Sequence, residues 1–160
     1  MVLSKNKSTI VGLILLFAFF LQFFLKLEWS WLFDIQEGEM YKRWSGLFLA
    51  LFIVFQWVLS LTRTVKKWKK HAMKMQDIHK WVGALSPIFF YIHSMGMGYG
   101  YLFLLSYIFF ANTLLGYFNL DVLKNNSDTL FKGWMISHVA LSLVVSIMML
   151  FHVVMVFYYK

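Results

Sequence analysis

The chain has no cysteine, a single proline and few charged residues among its 160 positions. Without cysteine it cannot form a disulfide, a thiolate metal site or an iron–sulfur cluster. Charged residues make up 14% of the chain and hydrophobic residues 61%, against about 25% and about 45–50% in soluble domains. A soluble fold of this length buries only about 70% of the surface that its unfolded chain exposes. The composition therefore predicts a single membrane domain, over residues 1–160, whose remaining apolar surface is solvated by lipid.

Five apolar runs predict an all-α bundle of about five transmembrane helices. They cover residues 10–27, 44–62, 78–95, 99–118 and 134–159, and each is near the ~20 residues that cross about 30 Å of hydrocarbon. The first run follows Lys5 and Lys7, as the apolar part of a signal peptide does. It is too long for an ordinary cleaved signal and no small-residue cleavage site follows, so we interpret it as an uncleaved anchor.

The basic residues are concentrated between the second and third runs. The net charge is +8, and seven of the fifteen Lys and Arg residues lie within residues 63–80. This placement is typical of a cytoplasmic loop against anionic lipid headgroups, so we expect a lipid partner and no nucleic acid. The positive-inside rule then places the N-terminus, this loop and the loop of residues 119–133 in the cytoplasm, and the C-terminus outside.

Four histidines form two pairs with the same spacing. His79 and His93 lie in the third run, His138 and His152 lie in the fifth, and each pair is 14 residues apart. That separation returns to within about 40° of the same helix face and climbs about 21 Å. The third and fifth helices run parallel, so His79 shares a depth with His138, and His93 with His152. Because haem iron takes axial ligands from two opposite sides, the four imidazoles predict two haem b groups as cofactors and metal ligands.

Other residues on these helices fit haem binding without requiring it. Gly83 leaves room for a macrocycle and Phe90 fills the gap between two haem edges, although plain helix packing explains either residue equally well. Pro87 is expected to kink the third helix. His71 lies among Lys69, Lys70 and Lys74, and we interpret it as solvated.

Two segments carry a resemblance to a known family. IHKWVGALSPIFFYIHSMG and SHVALSLVVSIMMLFHVV resemble the ferric reductase-like transmembrane domain, the membrane part of NADPH oxidases, ferric reductases and the haem subunit of periplasmic methionine sulfoxide reductase. His79, Lys80 and Gly83 match the family's His-basic-x-x-Gly opening. His93 matches its second histidine, and His138 and His152 match the pair on its fifth helix.

The chain also departs from this family. It ends after the fifth run and has no Gly-rich dinucleotide fingerprint, so we expect it not to take hydride from NADPH itself. A rival resemblance is cytochrome b of the quinol–cytochrome c oxidoreductases, which also uses two histidine pairs on parallel helices. The Pro-Glu-Trp-Tyr motif of that family's quinol site is missing here.

The expected function is transmembrane electron transfer by a di-haem b-type cytochrome. A cytoplasmic flavoprotein or the quinol pool would be the donor, and an acceptor outside the membrane would receive the electrons. We expect the chain to serve as a subunit of a larger oxidoreductase in the inner (cytoplasmic) membrane of a bacterium. Two alternatives remain open: a haem-free scaffold or assembly subunit, and a metal-ion transporter. The absence of acidic residues from all five runs disfavours the transporter, because hard cations prefer carboxylate ligands.

Overall fold

The computed structural model describes residues 7–118 and 127–159, and these residues are helical with no β-strand among them. Lys5 and most of the predicted 119–133 loop lie outside the described residues. The described residues form eight α-helices and one 3₁₀-helix, which are in chain order α1 (Lys7–Leu25), α2 (Ser30–Glu37), α3 (Glu39–Gln56), α4 (Val58–Thr64), the 3₁₀-helix (Lys66–His71), α5 (Ala72–Ala84), α6 (Ser86–His93), α7 (Tyr101–Tyr117) and α8 (Asp128–Tyr158).

Among the described residues, three helical stretches are long and apolar enough to cross a membrane, as expected of a membrane protein. They are α1 with 19 residues, α3 and α4 taken together with 26, and α8 with 31. Helix α7 is apolar but has only 17 residues. The third predicted run corresponds to α5 and α6, which are separated by one residue. The predictions of an all-α fold and of helices that can span a membrane are confirmed for the described residues, and the five crossings with haem-binding third and fifth helices stay a prediction.

The interruption between α5 and α6 has a physical cause in Pro87. Proline has no N–H to donate and its ring excludes the carbonyl four residues earlier, which here belongs to Gly83. The hydroxyl of Tyr117 on α7 donates to that carbonyl at 3.1 Å, and lies 3.4 Å from the carbonyl of Ala84. Leu85 keeps right-handed helical dihedral angles, so α5 leads directly into α6 and Tyr117 binds the carbonyls that the break releases.

Helix α2 lies between the first and second apolar runs. Its Gln36 is buried and donates to the carbonyls of Tyr91 and Ile92, at 2.7 and 3.0 Å. The same side chain accepts from the N–H of Met95 at 3.1 Å. The last carbonyls of a helix have no partner within the helix, so Gln36 caps the end of α6, where His93 is the last residue.

An aromatic core joins α1, α6 and α7. Phe19 and Phe90 each lie against Phe110, with ring centres 4.5 and 4.6 Å apart respectively, and Phe109 completes the cluster. Val145 is the one buried residue of α8 and belongs to the same core. Helix α8 therefore presents most of its surface outward, as a helix in contact with lipid does.

Candidate functional site

The structure brings the four span histidines together as two pairs. The rings of His79 on α5 and His138 on α8 have centres 6.2 Å apart and planes at 89°. The rings of His93 on α6 and His152 on α8 have centres 6.5 Å apart and planes at 62°. We call these the α5 pair and the α6 pair. This is the pairing by depth that the spacing predicts, and all four side chains are half-buried.

Ser45 on α3 determines the orientation and tautomer of His93. Its hydroxyl donates to the carbonyl of Tyr41 at 2.7 Å and lies 3.1 Å from Nδ1 of His93. A hydroxyl has one proton to donate, so with that proton on the Tyr41 carbonyl it accepts from Nδ1–H of His93. Nε2 of His93 is then unprotonated and free to bind a metal, which is how a partner behind the ring prepares an imidazole ligand.

The other ring of the α6 pair is held from α7. The hydroxyl of Tyr101 lies 3.3 Å from Nδ1 of His152, and the two rings are 6.2 Å apart. Beside His93, α3 carries Gly46, where an added Cβ would lie 2.9 Å from Cε1 of the imidazole. A side chain at position 46 would therefore occupy space that the ring now fills.

The surroundings of the α5 pair differ from those of the α6 pair. Nδ1 of His79 and Nδ1 of His138 are buried without a hydrogen-bond partner among the described residues, as are Oε1 of Gln56 and Oδ1 of Asn112. The main chain of Gln56 nevertheless interacts electrostatically with His79, and that of Asn112 with His138. Each imidazole of this pair therefore has a main-chain carbonyl of an adjacent helix near it.

Helices α7 and α8 form the wall beside His138. An added Cβ at Gly116 would lie 3.2 Å from Cε1 of His138. Trp134, one turn earlier on α8, stacks parallel to His138 with ring centres 5.9 Å apart. Its indole N–H donates to the carbonyl of Leu115 at 2.8 Å, so the stacked pair is attached to the end of α7.

A line of hydroxyl groups runs along α8 between the two pairs. Ser142 donates to the carbonyl of His138 at 2.7 Å and accepts from the amide of Asn112 at 2.9 Å. Ser146 donates to the carbonyl of Ser142 at 2.8 Å and accepts from the indole of Trp57 at 2.9 Å. These bonds hold α8 against α7 and the α3–α4 junction, which sets the distance of its histidines from their partners.

Cationic side chains lie beside both pairs. Arg63 on α4 is close enough to His79 to interact with it electrostatically, and its guanidinium donates to Oε1 of Gln76 at 3.3 Å. Lys42 and Arg43 line a narrow crevice together with Gly46 and His152. Each imidazole pair therefore has a positive charge at one end.

The other residues that the sequence singles out, Gly83, Phe90 and His71, lie outside the surroundings of the two imidazole pairs. An added Cβ at Gly83 would touch Nε2 of Gln56 at 3.7 Å, an ordinary contact, and would have no histidine atom within 4 Å. Phe90 makes its ring contacts with Phe19, Phe109 and Phe110. His71 is exposed at the end of the 3₁₀-helix.

Sequence reasoning missed the residues that support the histidines. Ser45 and Gly46 are adjacent small residues in a span, a pattern that marks close helix contacts. Trp134 lies four residues before His138, a spacing that places two side chains on one helix face. Both signals are visible in the sequence, although neither identifies the partner helix.

No family model, curated protein or solved structure matches the chain. In the part of the chain that the structure describes, no three His, Asp or Glu side chains converge on a common metal position. The paired imidazoles are therefore the ligand sets that the site itself offers, two nitrogens at each.

Proposed function

We propose that the chain is a di-haem b-type cytochrome that carries electrons across a membrane, with one haem at each imidazole pair. The α5 pair would receive electrons from a cytoplasmic flavoprotein or from quinol, and the α6 pair would pass them to an acceptor outside. The protein would act as an electron-transfer subunit of a larger oxidoreductase. The resemblance of the histidine segments to the ferric reductase-like transmembrane domain supports the same proposal.

One observation carries this proposal: the distance between the two ring centres in each imidazole pair. A ligating imidazole nitrogen lies about 2 Å from its metal and about 1.2 Å from its own ring centre. Two imidazoles on opposite sides of one iron therefore have ring centres about 6.4 Å apart. The observed separations are 6.2 and 6.5 Å. Both separations would therefore allow the two imidazoles of a pair to hold one haem iron between them.

The residues around the pairs fit the group in the same way. Ser45 holds Nδ1 of His93, which leaves Nε2 for the iron. Gly46 and Gly116 keep side-chain volume away from one ring in each pair. Haem carries two anionic propionates, and Arg63 near His79 and Lys42 and Arg43 near His152 offer cations to bind them.

Bound haem supplies one-electron chemistry, and the chain determines where it takes place. Fourteen residues of helix separate the ligands on each track, so the two pairs are about 21 Å apart along the helix axis. Val145 and the core of Phe90, Phe109 and Phe110 occupy the intervening level. These apolar side chains, together with the hydroxyl groups of Ser142 and Ser146 on α8, would form the protein between the two haem sites.

Five crossings of the bilayer are part of this proposal. Residues 72–93, α5 and α6 together, extend about 33 Å, and α7 with its 17 residues extends about 26 Å. Both lengths are near the ~30 Å thickness of the hydrocarbon layer. With five crossings the N-terminus and the basic segment of residues 63–80 would face the cytoplasm and the C-terminus the outside, in a bacterial inner membrane.

A haem-free scaffold is the competing function, since two aromatic rings also contact edge-to-face at about 4.5–7 Å. Absorption spectroscopy of the purified chain separates the two. We expect Soret and α bands of low-spin haem b, and a pyridine haemochrome assay that gives two haems per chain. One haem or none per chain after expression with sufficient haem would overturn the proposal.

A further inference from the structure

The short 3₁₀-helix between α4 and α5 has an unusual distribution of side chains. In a 3₁₀-helix residues three apart lie directly above one another. Val65, whose carbonyl accepts from the N–H of Trp68 at 2.9 Å, therefore lies in line with Trp68. The neighbouring lines are Lys66 with Lys69 and Lys67 with Lys70. His71 continues the line of Val65 and Trp68. We call residues 65–71 the lysine segment: an apolar ridge of Val65 and Trp68 that ends at His71, with a pair of lysines on either side.

Neither the ridge nor the four lysines are buried by the fold. Val65 is 39% exposed and Trp68 is 44% exposed, and all four lysines are exposed. Among the described residues no acidic side chain forms an ion pair with these lysines, and the ion pair that is found joins Arg43 to Glu39. The segment directly follows the end of the candidate span formed by α3 and α4, which places it near the membrane surface.

We propose that the lysine segment is a binding site for anionic lipid headgroups, with Val65 and Trp68 inserted into the interfacial layer of the leaflet. Tryptophan prefers this layer because its ring is apolar and its N–H is polar. Lysines beside an inserted ridge extend their ammonium groups to the phosphate level. Positive charge near an anionic leaflet adds attraction for each lysine, and this attraction is screened by salt. The proposal depends on the chain being in a membrane and does not depend on haem.

The absence of native cysteine allows a single environment-sensitive label to be placed on the segment. The full chain carrying Val65→Cys, labelled with a nitrobenzoxadiazole fluorophore, would be reconstituted in nanodiscs, whose two faces are both open to solvent. The discs would contain either phosphatidylcholine alone or phosphatidylcholine with phosphatidylglycerol. With anionic lipid we expect a blue shift of emission and loss of quenching by iodide. High salt should reverse both changes, and inorganic phosphate at matched ionic strength should not reproduce them.

Two sets of variants control the test. Changing the four lysines to glutamine should abolish the lipid-dependent shift, whereas changing them to arginine should preserve it. Each lysine near an anionic surface contributes a factor of about five in binding, so loss of all four should weaken lipid binding on the order of several hundred-fold. A label at Tyr99→Cys, in the 93% exposed position between α6 and α7, should show no shift.

Three results would overturn the proposal. A label at position 65 that stays open to iodide in both lipids would show that the segment does not enter the leaflet. Equal protection in neutral and anionic discs would show insertion without recognition of headgroup charge. Protection that required an added electron-donor protein would assign the segment to protein docking instead.

Discussion

Replacing Gly46 by alanine tests the geometry of the α6 pair. The new Cβ would lie 2.9 Å from Cε1 of His93, whereas ordinary contacts begin at 3.4 Å. The ring or α3 must therefore move by about 0.5 Å, while metal–ligand distances vary by only about 0.2 Å. The ring is also held by Ser45, so it cannot move freely. Overpacking of this kind costs about 1–3 kcal/mol, which would weaken haem binding at the α6 pair about 5- to 150-fold.

Haem content and a potentiometric titration of the purified variant would measure the effect. We expect the haem at the α6 pair to be lost or to have a shifted midpoint potential, and the haem at the α5 pair to be unchanged. Gly116→Ala should act on the α5 pair instead and more mildly, because its Cβ would lie 3.2 Å from Cε1 of His138.

The matched control is Gly133→Ala on α8. An added Cβ there meets nothing within 4 Å, and alanine is favoured over glycine in a helix by about 1 kcal/mol. Both haem components should persist in this variant. If Gly46→Ala behaved like Gly133→Ala, the close approach of α3 to His93 would be refuted. Equal loss of both haems in Gly46→Ala would show that the substitution does not act on the α6 pair alone, and would refute the reasoning.

Three further predictions concern individual side chains. His93→Ala should remove one haem and His138→Ala the other, as measured by haemochrome content, while His71→Ala removes neither; loss of the same haem in the first two would contradict the pairing. Ser45→Ala should raise the midpoint potential of the haem at the α6 pair, because an imidazole that no longer donates from Nδ1 is less basic and stabilises ferric iron less; Ser45→Thr should restore it, and an unchanged potential would refute that role. Gln36→Leu removes the Gln36 bonds to the carbonyl of Tyr91 and the N–H of Met95, while the carbonyl of Ile92 keeps its bond from the hydroxyl of Tyr41. Each group left unpaired and buried costs about 1–3 kcal/mol, so the denaturation midpoint should fall, and an unchanged midpoint would contradict the cap.

The all-helical architecture and the pairing of the histidines could be read from the sequence because both depend on local geometry. Helical rise and turn are constant, so a separation of fourteen residues places His79 and His93 on one face wherever the helix packs. The break near Pro87 follows from proline's missing N–H in the same way. Ligation of haem by the four histidines stays a prediction, since paired rings at this distance are compatible with a simple aromatic contact.

The neighbours that other helices supply to each imidazole were decided by the tertiary structure alone. Ser45 reaches His93 across 48 positions of chain, and Gly116 approaches His138 only because α7 packs against α8. Phe90 shares its helix with His93, yet its ring enters the aromatic core with Phe110. Hydrophobic periodicity shows that a face is buried, but it does not show which helix covers that face. The sequence alone therefore determined the spacing of the imidazoles, and helix packing determined what holds each ring in place.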